Sequence, residues 1–205
     1  MIDLYLAPTA NGLRASVALS ECGLAYKAHK IDLMKGEQRT PEFLKLNPAG
    51  QIPVLVDQDG PGGKPLTLAQ SAAIILYCAE KSAKFLPKDG ARRALALQWM
   101  MQGATDVAPT SGAIFQLENV APEKSEAITN HFKKRLLSFF TVCDAQLASH
   151  AFLAGEISVA DLMLYPNDSA RKALIDAAGG FTNLHRWGAA MAARPGVREG
   201  MNPLG

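Results

Sequence analysis

The chain has 205 residues, 48% of them hydrophobic and 20% charged, with 21 basic against 19 acidic residues and a net charge of +2. That length suits one large domain or two small ones with a real core, and that composition is globular, not disordered. Charges of both signs are dispersed without a basic run or an acidic tail, so nothing points to nucleic acid or a charged partner, and no apolar run approaches the roughly 20 residues that span a bilayer.

The opening MIDLYLAPT carries Asp3 inside its apolar stretch and lacks a basic lead, unlike a secretory leader. The three cysteines, Cys22, Cys78 and Cys143, are far apart, odd in number and in no CxxC pair. That spacing speaks against a disulfide framework and a metal site, and fits a reducing cytoplasm. Each falls in a helical pattern and reads as a small core residue; none stands at a strand-to-helix turn, where a thiol would be activated.

In chain order, Ile2, Leu4 and Leu6 alternate with Asp3 and Tyr5 and predict a first strand, ended by Pro8. From Asn11 the period turns helical, with Ala15, Ala18, Leu19 and Cys22 on one face and Gly23 suited to the C-terminal cap. A second strand is expected over 26–32, a helical turn over 41–46 and a third strand over 52–56. The glycines and proline between Asp57 and Lys64 make a hairpin loop, after which a short strand over 65–68 leads into an apolar helix over 71–82. A right-handed crossover makes the first two strands parallel and the hairpin makes the last two antiparallel. This is the thioredoxin-like order, βαβαββα, over residues 1–82.

Residues 83–89 read as a linker. Strand signals then stop, and helical patterns run over 91–104, 123–149, 158–170 and 181–193, with 105–121 less regular because Pro109, Gly112 and Pro122 act as breakers. The expected fold class is therefore α/β plus all-α, with an all-helical domain over 90–205. Within it, Ser158-Val-Ala-Asp161 has the form of a capping box, with Ile157 and Leu162 as its hydrophobic staple.

Three separated segments gather polar groups at one end of such a sheet. Pro8-Thr9-Ala10-Asn11-Gly12 links the first strand to the first helix, and there Thr9 offers a hydroxyl and Asn11 a carboxamide NH2, both able to donate to a thiolate. Asn47-Pro48-Ala49-Gly50-Gln51-Ile52-Pro53 leads into the third strand. A cis bond before Pro53 would turn the Ile52 main chain outward, ready to pair with an extended peptide. Gln70-Ser71 opens the last helix of the domain, where free N–H groups and the helix dipole can hold a carboxylate and Gln70 can accept from an ammonium group. Taken singly, these are equally ordinary caps and an ordinary turn. Tyr5, inside its strand, reads as packed on the sheet.

As a set the three segments resemble the glutathione site of the glutathione transferase superfamily. The likeness runs along nearly the whole chain: Asn-Pro-Ala-Gly-Gln-Ile-Pro-Val-Leu, Leu-Ala-Gln-Ser-Ala-Ala-Ile-Ile-Leu-Tyr, Ser158-Val-Ala-Asp161, Asn183-Leu-His-Arg-Trp187 and Met191-Ala-Ala-Arg-Pro195-Gly-Val197. The stretches Ala7–Gly12, Lys35–Gln38 and Pro41–Leu44 are most similar to nu-class transferases and bacterial glutathione-dependent disulfide-bond reductases. The resemblance implies that Thr9 and Asn11 face the glutathione sulfur and that Gln38 contacts its glycine end. It further implies that Gln51, Ile52 and Pro53 carry its main chain and that Gln70 with Ser71 holds the γ-glutamyl group. The chain departs from the pattern at Gln70, where Glu is commoner. It departs again where related reductases reach across a homodimer with an arginine; the nearest candidate is His131, beside Lys133 and Lys134. Three functions follow from the resemblance: a transferase that activates glutathione against electrophiles or peroxides, a disulfide reductase on the same site, and a glutathione-binding module without catalysis. All imply a cytoplasmic homodimer that uses glutathione and no metal.

Overall fold

The computed structural model describes all 205 residues, Met1–Gly205. They form two compact units: Met1–Leu86 together with Ala193–Gly205, and Pro87–Ala192. The closing segment, which the sequence reading gives to the helical domain, packs instead with the first unit.

The first unit is built on strands β1 (Ile2–Leu6), β2 (Tyr26–Lys30), β3 (Val54–Asp57) and β4 (Leu66–Ala69), in the sheet order β2-β1-β3-β4. β1 and β2 are parallel; β3 runs antiparallel to both β1 and β4. The alternation in β1 buries Ile2, Leu4 and Leu6 and leaves Asp3 and Tyr5 half-exposed. Tyr5 stacks on His29 with ring centroids 4.6 Å apart, so it is a packing residue of the sheet. Helices α1 (Ala10–Cys22), α2 (Pro41–Leu46) and α3 (Ser71–Ser82) complete the expected order. At the C-terminal end of β3, buried Asp57 accepts from Tyr77 Oη at 2.6 Å and pairs with Lys81 at 2.8 Å, tying the sheet to α3.

The segment that returns to this unit ends in α9 (Pro195–Gly200). It lies on α1 at backbone contact: a Cβ on Gly200 would fall 2.4 Å from the Val17 Cα. Ser16 Oγ donates to the Gly200 carbonyl at 2.6 Å, and Arg194 pairs with Glu21 at 2.5 Å. This contact is what assigns residues 193–205 to the first unit.

The second unit is helical: α4 (Gly90–Met101), α5 (Ala108–Phe115), α6 (Glu126–Leu147), α7 (Val159–Ala178) and α8 (Thr182–Ala192). The expected irregularity over 105–121 takes the form of π-helix and not of a break. Helix continues through two π-helical segments, Gln102–Val107 and Gln116–Val120, that join α4 to α5 and extend α5. Pro109 breaks nothing because it sits in the first turn of α5. There, the wider π turn before it, closed by the Ala108 N–H on the Gly103 carbonyl, has no need of its missing N–H. Nor does α7 stop near 170; it passes Pro166 and runs to Ala178.

The capping box at Ser158 is complete, and Asp161 is more than a cap. Its fully buried carboxylate accepts from the N–H groups of Leu153 (3.1 Å) and Ser158 (2.9 Å) and from Trp187 Nε1 of α8 (2.8 Å). All three cysteines are buried, and burial raises each thiol, Cys143 to about 12. No helix is long and apolar enough to cross a membrane, and no group of His, Cys, Asp and Glu could hold a metal ion.

Asp161→Ala leaves three buried donors without an acceptor and is expected to destabilise the second unit by about 4 kcal/mol. Both tryptophans lie in this unit, so denaturant unfolding followed by their fluorescence reads the loss directly. Asp168, against Gly188 in a cavity of about 430 Å³ shared by α7 and α8, is pushed up to about 7 by desolvation that Lys172 only partly offsets. Its native form therefore keeps a proton that the unfolded chain gives up. The resulting loss of stability grows as pH rises from about 4 to about 7, to no more than ~4 kcal/mol. Asp168→Asn is expected to stabilise the protein by an amount that increases between about pH 4 and pH 7 and levels off above that, measured as the thermal midpoint against pH.

Candidate functional site

The sheet register brings the three polar segments together. Tyr5 stands opposite Val54, and Val54 opposite Ala69. The chain leaving β1, the chain entering β3 and the chain leaving β4 therefore share one end of the sheet. β2 is parallel to β1 and ends at the same edge, with Lys30 opposite Leu6. The loop after it carries Gln38, whose carbonyl lies 3.0 Å from where a Cβ on Gly50 would be. So Thr9, Asn11, Gln38, Gln51, Ile52, Pro53, Gln70 and Ser71 all lie at one edge of the first unit. His131 is an exposed residue of α6 in the second unit, edge-on to Phe132.

At the start of α1 the chain turns so tightly that Gly12 has no room for a side chain: a Cβ there would lie 2.1 Å from the Ala7 carbonyl oxygen. This close approach fixes Thr9 and Asn11 at the helix entrance, both exposed. Thr9 Oγ1 caps the helix by accepting from the Gly12 N–H at 3.3 Å, which leaves its O–H proton free to point outward. The Asn11 Oδ1 accepts from the Arg14 guanidinium at 2.5 Å, which leaves its NH2 as the outward end. The two side chains thus have their oxygens engaged from inside and present protons to whatever approaches.

The Ile52–Pro53 peptide bond is cis. Ile52 takes part in none of the backbone hydrogen bonds of the sheet or the loops, so its N–H and C=O are available along the edge where β3 begins. The loop before it is held from within by buried Asn47, whose Nδ2 donates to the Gln51 carbonyl at 2.7 Å and whose Oδ1 accepts from the Ala49 N–H at 3.2 Å.

The start of α3 is the third element. α1, α4, α6 and α7 are each capped by their own side chains, Thr9, Asp89, Ser125 and Ser158. α3 is not: Gln70 makes no side-chain cap. Its first N–H groups and the buried Ser71 form a donor cluster with partial positive charge and no internal acceptor. Gln70 itself has φ 72° and ψ 115°, a conformation that a residue with a Cβ rarely adopts. Such backbone costs about 1–3 kcal/mol; Gln70 is exposed, at the N-cap position of the open helix end.

Gln38 is half-buried, its Nε2 donating to the Leu33 carbonyl at 3.4 Å. Next to it, exposed Arg39 donates to the Ala49 carbonyl at 3.3 Å. Arg39 brings a cation to this edge that the sequence reading passed over. Arg14 is another that carries no role in the sequence reading, and Asn47 stands in its segment there without the bridging role seen here. Arg14 had one legible signal, a charge three residues after Asn11 inside an otherwise apolar helical face.

Comparison with known proteins points to one family. Residues 10–81 match the family described as glutathione S-transferase, N-terminal domain. The disulfide-bond oxidoreductase YfcG of Escherichia coli is 37% identical over 168 residues, 81% of this chain and 78% of that protein. YghU of the same organism, also a disulfide-bond oxidoreductase, is 33% identical, covering 97% of this chain and 73% of its own. In structure, a glutathione transferase from Pseudomonas putida with one glutathione disulfide bound per subunit superposes at TM-score 0.91, 32% identical, covering all of this chain and 92% of that one. A transferase from Burkholderia graminis with two glutathione molecules per subunit gives TM-score 0.92 at 31% identity, over 99% and 88%.

Gln70→Gly is expected to raise the thermal stability of the protein by about 1 kcal/mol, because glycine adopts this backbone without strain. The same variant is expected to elute earlier from immobilised glutathione. A stability equal to or below that of the parent would show that the turn is unstrained.

Proposed function

The chain belongs to the glutathione S-transferase family, and on that footing we propose that it binds glutathione at this edge of the first unit and uses the tripeptide's thiolate as a nucleophile. The observation that carries the reading is the pairing of an uncapped α3 with an unbonded Ile52 main chain at the same end of the sheet. An extended tripeptide meets both needs. Its γ-glutamyl carboxylate takes the N–H groups and hydroxyl of Ser71, and its ammonium takes Gln70. Its main chain runs along Gln51, Ile52 and Pro53, as an added strand would. The glycine end lies toward Gln38, and the sulfur toward Thr9 and Asn11.

Those two donors are the chemical core of the proposal. A free thiol with pKa near 8.5 is only about 3% ionised at pH 7. Lowering it by ~2 units requires roughly 2.7 kcal/mol of preference for the anion. A helix N-terminus contributes about 1 kcal/mol and each good donor to a charge about 1.5–3, so the start of α1 with Thr9 and Asn11 is sufficient. The thiolate then attacks an electrophilic carbon, forming the C–S bond as the leaving group departs with its electron pair. With a peroxide it breaks the O–O bond, giving a sulfenic acid and an alcohol once the alkoxide gains a proton.

Disulfide reduction is the second reading, and one observation favours it: the relatives YfcG and YghU carry that activity in their names. Every cysteine of the chain is buried. Exchange would then run on glutathione sulfur alone: the bound thiolate attacks one sulfur of the substrate disulfide and expels the other as thiolate, and a second glutathione resolves the mixed disulfide. A cytoplasmic homodimer in which the partner subunit's His131 completes the site belongs to the same proposal.

Asn11→Ala is expected to raise the pKa of the bound thiol by 1–2 units, about tenfold or more in thiolate fraction below that pKa, with the fold intact. An unchanged pH–rate profile would overturn the role given to Asn11. Turnover of a chlorinated aromatic against turnover of hydroxyethyl disulfide separates the two readings.

A further inference from the structure

Arg14 is the single charged residue among the buried positions of α1, 1% exposed in a run that otherwise holds Gly12, Ala15, Ser16, Val17, Ala18, Leu19 and Cys22. Desolvation lowers its guanidinium only to about 10, so it remains a cation at neutral pH. Burying a cation is costly unless its donors are used. One of them, Nη1, is spent on the Oδ1 of Asn11, the exposed residue at the helix entrance.

The chemistry of that contact is one-sided. A carboxamide has an acceptor end and a donor end, and rotation about its last bond exchanges them. A guanidinium has five donors and no acceptor, so it can hold only the oxygen. With Oδ1 on Arg14, the NH2 of Asn11 must face away from the helix interior. The opposite rotamer would set NH2 against the guanidinium and direct a lone-pair oxygen at the ligand. A thiolate accepts hydrogen bonds and is repelled by that oxygen, so the orientation of one amide decides whether Asn11 stabilises the anion or opposes it.

We infer that Arg14 is the positioning residue of the thiol site: it fixes the Asn11 carboxamide with its NH2 outward and, by polarising it, strengthens the donation. The inference rests on the reading that Asn11 faces the glutathione sulfur. It adds a buried residue that acts only through Asn11, in the same way that the Gly12 N–H engages the oxygen of Thr9.

A double-mutant cycle tests it, with the pKa of the bound thiol read from the ultraviolet absorbance of the thiolate in the parent, Asn11→Ala, Arg14→Met and the double variant, each checked by thermal midpoint. Arg14→Met keeps the length and removes the donors. It is expected to raise the thiol pKa by about one unit, with kcat/KM about tenfold lower below that pKa and recovering at high pH, while KM for glutathione stays near the parent value. In the Asn11→Ala background the same change is expected to shift the pKa by less than about 0.3 units, because the group it acts through is gone. If Asn11→Ala raises the pKa and Arg14→Met does not, Asn11 needs no positioning and the inference fails while the thiol site stands. If the two effects add, Arg14 acts on the sulfur by itself and the inference also fails. If Asn11→Ala changes nothing, both fall. Should Arg14→Met not fold, Arg14→Lys takes its place. The ammonium keeps the charge but ends short of where Nη1 reaches, so the same rise is expected and an unchanged pKa overturns the inference.

Discussion

The arrangement depends on β3 running antiparallel to both of its neighbours. That one choice sets Tyr5, Val54 and Ala69 abreast and so collects the exit of β1, the entry of β3 and the exit of β4 at one edge. Each contributes something different: a helix entrance with donors, a stretch of unbonded main chain, and a helix entrance with no cap. A slip of one residue in any of these pairings would reverse which side chains face the core. Buried Leu4, Leu55 and Val54 hold the register against it.

The two helix entrances are used in opposite ways. At α1 the chain satisfies its own acceptors, through the Gly12 N–H on Thr9 and Arg14 on Asn11, and so leaves protons facing outward. At α3 the chain satisfies nothing and leaves the helix's own N–H groups exposed to an incoming anion. The first prepares directed donors for a small, polarisable charge. The second prepares a diffuse positive end for a carboxylate. An elongated ligand with a carboxylate at one end and a thiol in the middle matches that spacing of functions. A fold of this kind hosts several chemistries, because the protein supplies only ionisation and alignment and the ligand supplies the nucleophile.

Much of this was legible in the sequence because it rests on local signals. Alternation in Ile2–Leu6, the glycine-rich hairpin before Leu66, the Ser158–Asp161 box and the Asn47–Pro53 and Gln70–Ser71 segments each carry their own signature over a few residues. What escaped was set by distance or by backbone detail. Arg14 takes on a role only once its helix face is known to be buried. Asn47 reads as a turn residue until its amide is seen to bridge the loop to Gln51. The strain at Gln70 is a pair of angles with no sequence pattern. Pro109 and Gly112 suggested a break over 105–121 because the rule that proline ends a helix assumes α geometry, which the π-helical segments do not keep. The return of residues 193–205 to the first unit turns on a bare Cα at Gly200 meeting Val17, a contact between positions far apart in the chain.

That return has a bearing on how the molecule is made. The helix that carries Thr9 and Asn11 at its tip precedes the helical unit in the chain, yet one of its sides is covered by α9, which follows that unit. During synthesis the nascent first unit therefore waits with one side of α1 bare while the whole helical unit is added behind it. A chain interrupted within that unit therefore lacks the segment that covers this side of α1.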